Sequence, residues 1–381
     1  MKHDESKKTD CPARADDKSG PPSWRAVEPE LTWVRPTVQI GFLVFSLMVG
    51  WQFHVFVNWL ADPVTRPPER PPSVEAWLPI SSLMSLTYSL RTGQVNLVHP
   101  AGLVIFSLIL GLSIFMGRGF CSWVCPIGTL SEWAHGIGRR LIGRNFVPPS
   151  WIDLPLRSLK YLLLAFFVYA IVGMSSAAIL SFLEGPYNRI ADVKMYLLFA
   201  EMTRTTAVVL IVLAALSLLV KNAWCRYLCP YGALLGLSAL VAPLAVRRDA
   251  DRCTDCKRCD QACPNRVRVS TCRDRIISLE CTSCYRCVES CRVPGTLAIR
   301  WPVPGRAVNQ AVYAAVLVGA FMLVAQAASS TGYWRSSTSS GLYAALYRVI
   351  SQTEHPRTPS TLSNERPQPL PPRIFQDCPR E

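Results

Sequence analysis

In Cys253-Thr-Asp-Cys256-Lys-Arg-Cys259-Asp-Gln-Ala-Cys263-Pro264 and Cys281-Thr-Ser-Cys284-Tyr-Arg-Cys287-Val-Glu-Ser-Cys291, seventeen residues separate Cys263 from Cys281. Each run is C-x2-C-x2-C-x3-C. Three cysteines at steps of three wrap one loop around a 4Fe-4S cubane, and the fourth faces the other way to reach a neighbouring cluster. The spacing predicts one cluster on Cys253, Cys256, Cys259 and Cys291, and a second on Cys281, Cys284, Cys287 and Cys263. Zinc accounts for the pattern less well, because zinc sites use well-separated pairs of cysteines or histidines. Arg292 stands where proline follows the first run, and Pro294 comes two residues later. The basic residues Lys257, Arg258, Arg286 and Arg292 are read as loop charges or as groups that raise cluster potentials.

Around this segment the chain is apolar: 381 residues, half of them hydrophobic, with a mean hydropathy of +0.21. That composition predicts membrane spans. Five are expected, at about Val38–Leu60, His99–Met116, Leu159–Leu183, Thr205–Val220 and Val308–Ala327. Tyr231–Val246 reads as a half-helix, and Trp77–Leu90 as an interfacial stretch within a Pro-rich loop. The expected fold class is a membrane all-α helical bundle with an inserted α+β bacterial-ferredoxin-like domain for two 4Fe-4S clusters. In order, the expected parts are a polar arm (1–37), a transmembrane region (38–246), the ferredoxin-like domain (247–303), a last span (304–328) and a polar tail (329–381).

The net charge of +14 follows the loops. Residues 61–98 and 184–204 carry three Lys or Arg each, whereas 221–307 carry fifteen. The positive-inside bias then places the cysteine-rich segment in the cytoplasm. With five spans the tail lies outside. Nucleic-acid binding is disfavoured, because the charge sits in membrane-facing loops. Fifteen cysteines, with no apolar h-region in MKHDESKKTD, point to metal and not to exported disulfides.

A second cysteine pattern repeats: Cys121-Ser-Trp-Val-Cys125-Pro126 and Cys225-Arg-Tyr-Leu-Cys229-Pro230, each followed by a glycine, Gly128 or Gly232. C-x3-C puts two thiols one helical turn apart on one face, and Pro126 and Pro230 suit the first turn of a following helix. Both motifs follow an even-numbered span and so share the cytoplasmic face. Four thiols there can bind a metal, form a redox-active disulfide or act as a relay. They can also be small buried residues at helix ends.

GRGFCSWVCPIGTL, LRSLKYLLL and NAWCRYLCPYGALLG, leading into the doubled cysteine runs, resemble the NapH/NosR-type membrane polyferredoxins, relatives of the CcoG-like assembly factors. The resemblance covers about residues 98–300. It implies a multi-pass protein of the bacterial inner membrane that exchanges electrons with membrane quinol and serves respiratory or maturation systems. The 37-residue arm is too short for the flavin-binding domain of NosR-type members, and there is no room for a CcoG-type C-terminal domain, so the shorter NapH-like members are the nearest match.

The expected function is a membrane iron–sulfur electron carrier, quinol-dehydrogenase-like, between the quinol pool and a partner oxidoreductase. The alternative is a maturation factor that reduces metal or thiols through Cys121, Cys125, Cys225 and Cys229. A redox sensor ranks last. His54, His99 and Glu184, near the outer ends of spans, are candidate quinol-side groups, with interfacial packing as the plainer reading. Haem ligation by His54 and His99 is disfavoured. Cys272 is surplus to the eight ligands, and Cys11 and Cys378 fall in polar tails.

Overall fold

The computed structural model describes residues 32–350 apart from 64–65, 143–145, 147 and 303–304. Cys11, Cys378, most of the N-terminal arm and residues 351–381 lie outside the described residues. Helix α1 (Val34–Ala61) is followed by a 3-10 turn (Pro72–Trp77), α2 (Pro79–Thr92), α3 (Pro100–Met116), the one-turn α4 (Phe120–Trp123), α5 (Pro126–Ile142) and α6 (Ser150–Gly173). Then come α7 (Ser176–Glu184), α8 (Pro186–Arg189), α9 (Ala191–Ala200), α10 (Arg204–Leu219), the short α11 (Ala223–Tyr227) and α12 (Pro230–Ser238). The cysteine-rich segment carries β1 (Ala245–Arg248), α13 (Arg258–Ala262), α14 (Arg286–Glu289), β2 (Leu297–Arg300) and β3 (Ala307–Val308). It leads into α15 (Gln310–Ser330) and α16 (Ser340–Arg348).

Among the described residues, three helices are long and apolar enough to cross a membrane: α1, α6 and α15. The bent pair α9–α10, kinked by 79°, makes a fourth if counted as one span, and α3 is a shorter apolar helix. At 1.5 Å per residue, the 21 residues of α15 reach about 31 Å, the thickness of a hydrocarbon core. Apolar side chains such as Leu47 and Trp51 of α1, Phe166 and Tyr169 of α6, and Met322 and Leu323 of α15 point outward, as expected of helices solvated by lipid.

Two expected elements end early. The third span is broken after Gly173, because Met174 is extended and Ser175 caps a new helix by accepting the Ala178 amide. The half-helix from Tyr231 stops at Ser238 and passes through a 3-10 turn, Ala239–Val241. From Ala245 its backbone pairs with a strand instead: Val246 lies opposite Ile299 and Arg248 opposite Leu297. The order β1-β2-β3 is antiparallel throughout. It clips both ends of the cysteine-rich segment together, so the loops carrying the eight cysteines fold between β1 and β2.

The cysteine-rich segment packs against one end of the bundle, around Val34, Met116, Trp123, Tyr285 and Tyr313. The opposite end is closed by Phe53, Phe56 and Leu60 of α1 with Ile190, Val193 and Tyr343. There Ser336 Oγ donates to the Val98 carbonyl at 2.6 Å. Helix α5 turns an apolar stripe outward (Ile127, Leu130, Trp133, Ile137, Leu141) while Thr129, Ser131 and His135 are buried. That inverted face suits a helix lying in the membrane interface.

Helices α5 and α10 touch backbone to backbone. A Cβ on Gly138 would sit 2.0 Å from the Leu218 carbonyl oxygen, whereas one on Gly136 would meet nothing within 4 Å. Gly138→Ala should therefore destabilise the protein by about 1–3 kcal/mol through overpacking, read as a lower thermal midpoint in detergent. Gly136→Ala should leave the midpoint unchanged or raise it. Equal behaviour of the two variants would refute this packing.

Candidate metal centres

The two cysteine runs fold alike because their backbones turn at the same positions. Asp255 and Lys257 in the first run, and Ser283 and Tyr285 in the second, all have φ between 49° and 62°. Left-handed turns at non-glycine residues are costly and aim successive amides inward. The Asp255 amide reaches Cys253 Sγ at 3.4 Å, and the Val267 amide reaches Cys263 Sγ at 3.3 Å. The third cysteine of each run sits in a one-turn helix, Cys259 in α13 and Cys287 in α14.

The runs interlock. Burial, together with Asp260, Cys253 and Cys291 close by, pushes the Cys259 thiol up to about 11. Burial and the neighbouring Cys284 and Cys263 push Cys281 up to about 12. Cys287 is raised by burial and by Cys284, Cys281 and Cys263. Cys263, the fourth cysteine of the first run, lies with Cys281, Cys284 and Cys287 of the second. A small apolar cleft is lined by Cys263, Cys281, Cys284 and Cys287 together with Val246, Val267 and Ile276. Cys121, Cys125, Cys225, Cys229, Cys253, Cys259, Cys263, Cys281, Cys284 and Cys287 are free thiols. Among the described residues, no three His, Cys, Asp or Glu side chains converge tightly enough to hold a single metal ion. Free thiols and inward amides fit a polynuclear cluster, in which each thiolate ligates a different iron. Cys272 stands apart, its thiol directed at the Arg268 carbonyl.

The C-x3-C motifs are also structural repeats. In each, the amide of the second cysteine donates to the carbonyl five residues back, Cys125 to Phe120 and Cys229 to Trp224, both at 3.0 Å. Each second cysteine then precedes a proline-started helix, α5 or α12. The packing is reciprocal: α3, before the first motif, meets α12 after the second, and α10, before the second, meets α5 after the first. This brings the four thiols together: burial and then Cys125, Cys229 and Cys121 raise Cys225. The glycines are needed for close approach, since a Cβ on Gly128 would lie 2.2 Å from the Cys121 carbonyl oxygen and one on Gly232 2.9 Å from Arg118.

Loop α4 is sewn to the second cysteine run. Ser122 Oγ donates to the Thr282 carbonyl at 2.7 Å, and Trp123 Nε1 to the Ser283 carbonyl at 3.1 Å. Two residues between Cys121 and Cys125 thus hold the two residues between Cys281 and Cys284. Arg118, 2% exposed, spans the same gap. Its Nε reaches Cys121 Sγ at 3.4 Å, and its Nη1 donates to the Leu279 carbonyl at 3.0 Å and lies 3.7 Å from Glu280. Glu280 also accepts from the fully buried Lys160 of α6 at 2.6 Å.

A 4Fe-4S binding domain profile matches residues 98–145 and 205–248, and a 4Fe-4S dicluster domain profile matches 245–292. "Putative electron transport protein YccM" of Escherichia coli K12 is 38% identical over 353 residues, covering 90% of this chain and 97% of that protein. The chain belongs to the NapH/NosR-type family of 4Fe-4S ferredoxin-type proteins. Ferredoxin-type protein NapH of Haemophilus influenzae is 27% identical over 49% of this chain and 59% of its own length. Methylamine utilization ferredoxin-type protein MauN of Methylorubrum extorquens is 29% identical over 49% of this chain and 61% of its own. No solved structure matches.

At the other end of this NapH/NosR-type protein, the histidines take separate partners. His54 Nδ1 meets the Tyr196 hydroxyl at 2.5 Å, while His99 Nε2 meets the Asn188 carbonyl at 2.7 Å, so the two rings do not face one another. Glu184 contributes its backbone carbonyl to Arg189. His99 belongs to a network that the sequence did not reveal. Its Nδ1 is 3.3 Å from Glu75, Arg70 bonds Glu75 at 2.9 Å and Asp192 at 2.7 Å, and Glu75 accepts the Gly102 amide at 3.0 Å. Arg118, Glu280 and Asp192 were equally hidden, because single charges in loops carry no period or spacing.

Glu75 is fully buried. Burial alone would raise its carboxyl, but Arg70 and His99 outweigh that and hold it below the usual carboxylate range. A depressed folded value contributes stability above the ordinary carboxylate pKa of about 4.3, and loses it as pH falls through the folded value. Unfolding followed from pH 7 downward should show that loss below about pH 4. Glu75→Gln should lower stability by about 3 kcal/mol at neutral pH by stranding Arg70 and flatten the acid limb. An acid limb identical to wild type would remove Glu75 from the account.

Proposed function

We propose that this protein is a membrane-bound carrier that exchanges electrons between the quinol pool and a partner oxidoreductase. One 4Fe-4S cluster would be held by Cys253, Cys256, Cys259 and Cys291, and a second by Cys281, Cys284, Cys287 and Cys263. The observation that carries this reading is the docking of Ser122 and Trp123 onto Thr282 and Ser283, which holds the second cysteine set against the membrane end of the bundle. When bound, the clusters supply one-electron steps. The chain's own residues fix their spacing, aim amides at the sulfurs and keep water away with Val246, Val267 and Ile276. A quinol oxidised to quinone releases two electrons and two protons. Clusters bound by these cysteines would accept the electrons one at a time, and the protons would leave to solvent.

The loop charges support a cytoplasmic face for the cysteine-rich segment in a bacterial inner membrane. The relatives' names, electron transport for YccM and ferredoxin-type for NapH and MauN, support redox partners.

Anaerobic protein in detergent, mixed with a reduced quinol analogue, should develop the EPR signal of reduced iron–sulfur clusters. Cys263→Ser should abolish or alter one of two cluster signals and leave the other. Clusters that dithionite reduces but quinol does not would remove quinol as the donor.

A further inference from the structure

The C-x3-C thiols meet conditions very like those of the ferredoxin-type sets. They are free and mutually close. Their sulfurs receive amides: Gly232 N–H points at Cys229 Sγ at 3.2 Å, as Val267 N–H does at Cys263. Cys229 caps the N-terminus of α12, Cys125 directly precedes α5, and buried Arg118 donates to Cys121. A small cleft is lined at once by Cys121, Cys225 and Cys284, with Arg118 and Glu280 on its wall. One site is therefore formed jointly by two repeats and opens onto the second ferredoxin-type set.

We infer that Cys121, Cys125, Cys225 and Cys229 hold a third iron–sulfur cluster, shared between the repeats and first in line from the membrane. The inference rests on the electron-transfer reading above. It goes further by joining the two segments of the 4Fe-4S binding profile into a single centre. Four thiolates on a buried cluster leave net negative charge; Arg118 and the two helix N-termini offset it. A cluster held there would supply one-electron chemistry: it would accept the two electrons of a quinol-class donor in successive single steps, the two protons leaving to solvent. The Ser122–Thr282 contact would hold it beside the set of Cys281, Cys284, Cys287 and Cys263. This supplies the membrane-side step that the eight ferredoxin-type cysteines by themselves lack.

The test is an iron and acid-labile sulfide count on the full-length chain, reconstituted anaerobically with iron and sulfide in detergent. At four irons per cubane, three clusters give about twelve iron atoms per chain and two give about eight. A Cys121→Ser/Cys225→Ser double variant should lose about four and keep both ferredoxin-type EPR signals. A wild-type count of about eight overturns the proposal, whether the four thiols then prove zinc-bound, disulfide-linked (resistant to alkylation until reduced) or freely alkylated. The wild-type count decides the matter even if the double variant fails to fold. Quinol reduction is read separately: about twelve irons without reduction by quinol keeps the centre and removes only the donor.

Discussion

Two hydrogen bonds from α4, Ser122 to Thr282 and Trp123 to Ser283, set where everything else in this protein stands. Each is worth only about 0.5–1.5 kcal/mol net. Their importance is positional, because they join a loop between two cysteines to a loop between two others. Trp123 is fully buried and packs edge-on to Tyr285 with centroids 5.9 Å apart. Tyr285 in turn donates to the Val308 carbonyl, just before α15 begins. The chain of contacts thus runs from the membrane helices through the second cysteine run to the last long helix. A shift of α4 would move both thiol sets together.

Buried charge tightens the same junction. Lys160, Glu280 and Arg118 tie α6 to the loop before Cys281. Asp153 at the start of α6 takes a bidentate pair from Arg226 and a hydrogen bond from Tyr227, both on α11. Glu132 of α5 accepts from Arg35 of α1 and from Arg286 of α14. Desolvating these ions costs several kcal/mol each, and their pairing recovers it only with good geometry. Their effect is to fix how the cysteine-rich segment meets the bundle. An apolar interface would let it slide; complementary charges at fixed points do not.

The opposite end uses the same device without cysteines. Arg70 and Glu75 of one loop, with Asp192 and His99 from two further segments, close the bundle beneath Tyr343. No periodicity or motif marks them. His99 was visible as a polar residue near a span end, but its partner Glu75 lies in a Pro-rich loop that read only as a connection.

The cysteine spacings determined a great deal on their own. Loop conformation around a C-x2-C-x2-C run is local, and the same two positive-φ positions recur in both runs because three residues per step leave few other routes. The apolar runs likewise placed α1, α3, α10 and α15 to within a few residues, since burial in lipid needs only length and composition. The break at Met174–Ser175 escaped that reading, because a serine cap inside an apolar run does not interrupt hydropathy. The meeting of the two C-x3-C motifs was decided only by tertiary structure. They lie about a hundred residues apart in the sequence, and the reciprocal packing of α3 on α12 and α10 on α5 brings their thiols to one point. Sequence can repeat a motif, but only packing across the bundle can face its two copies toward each other.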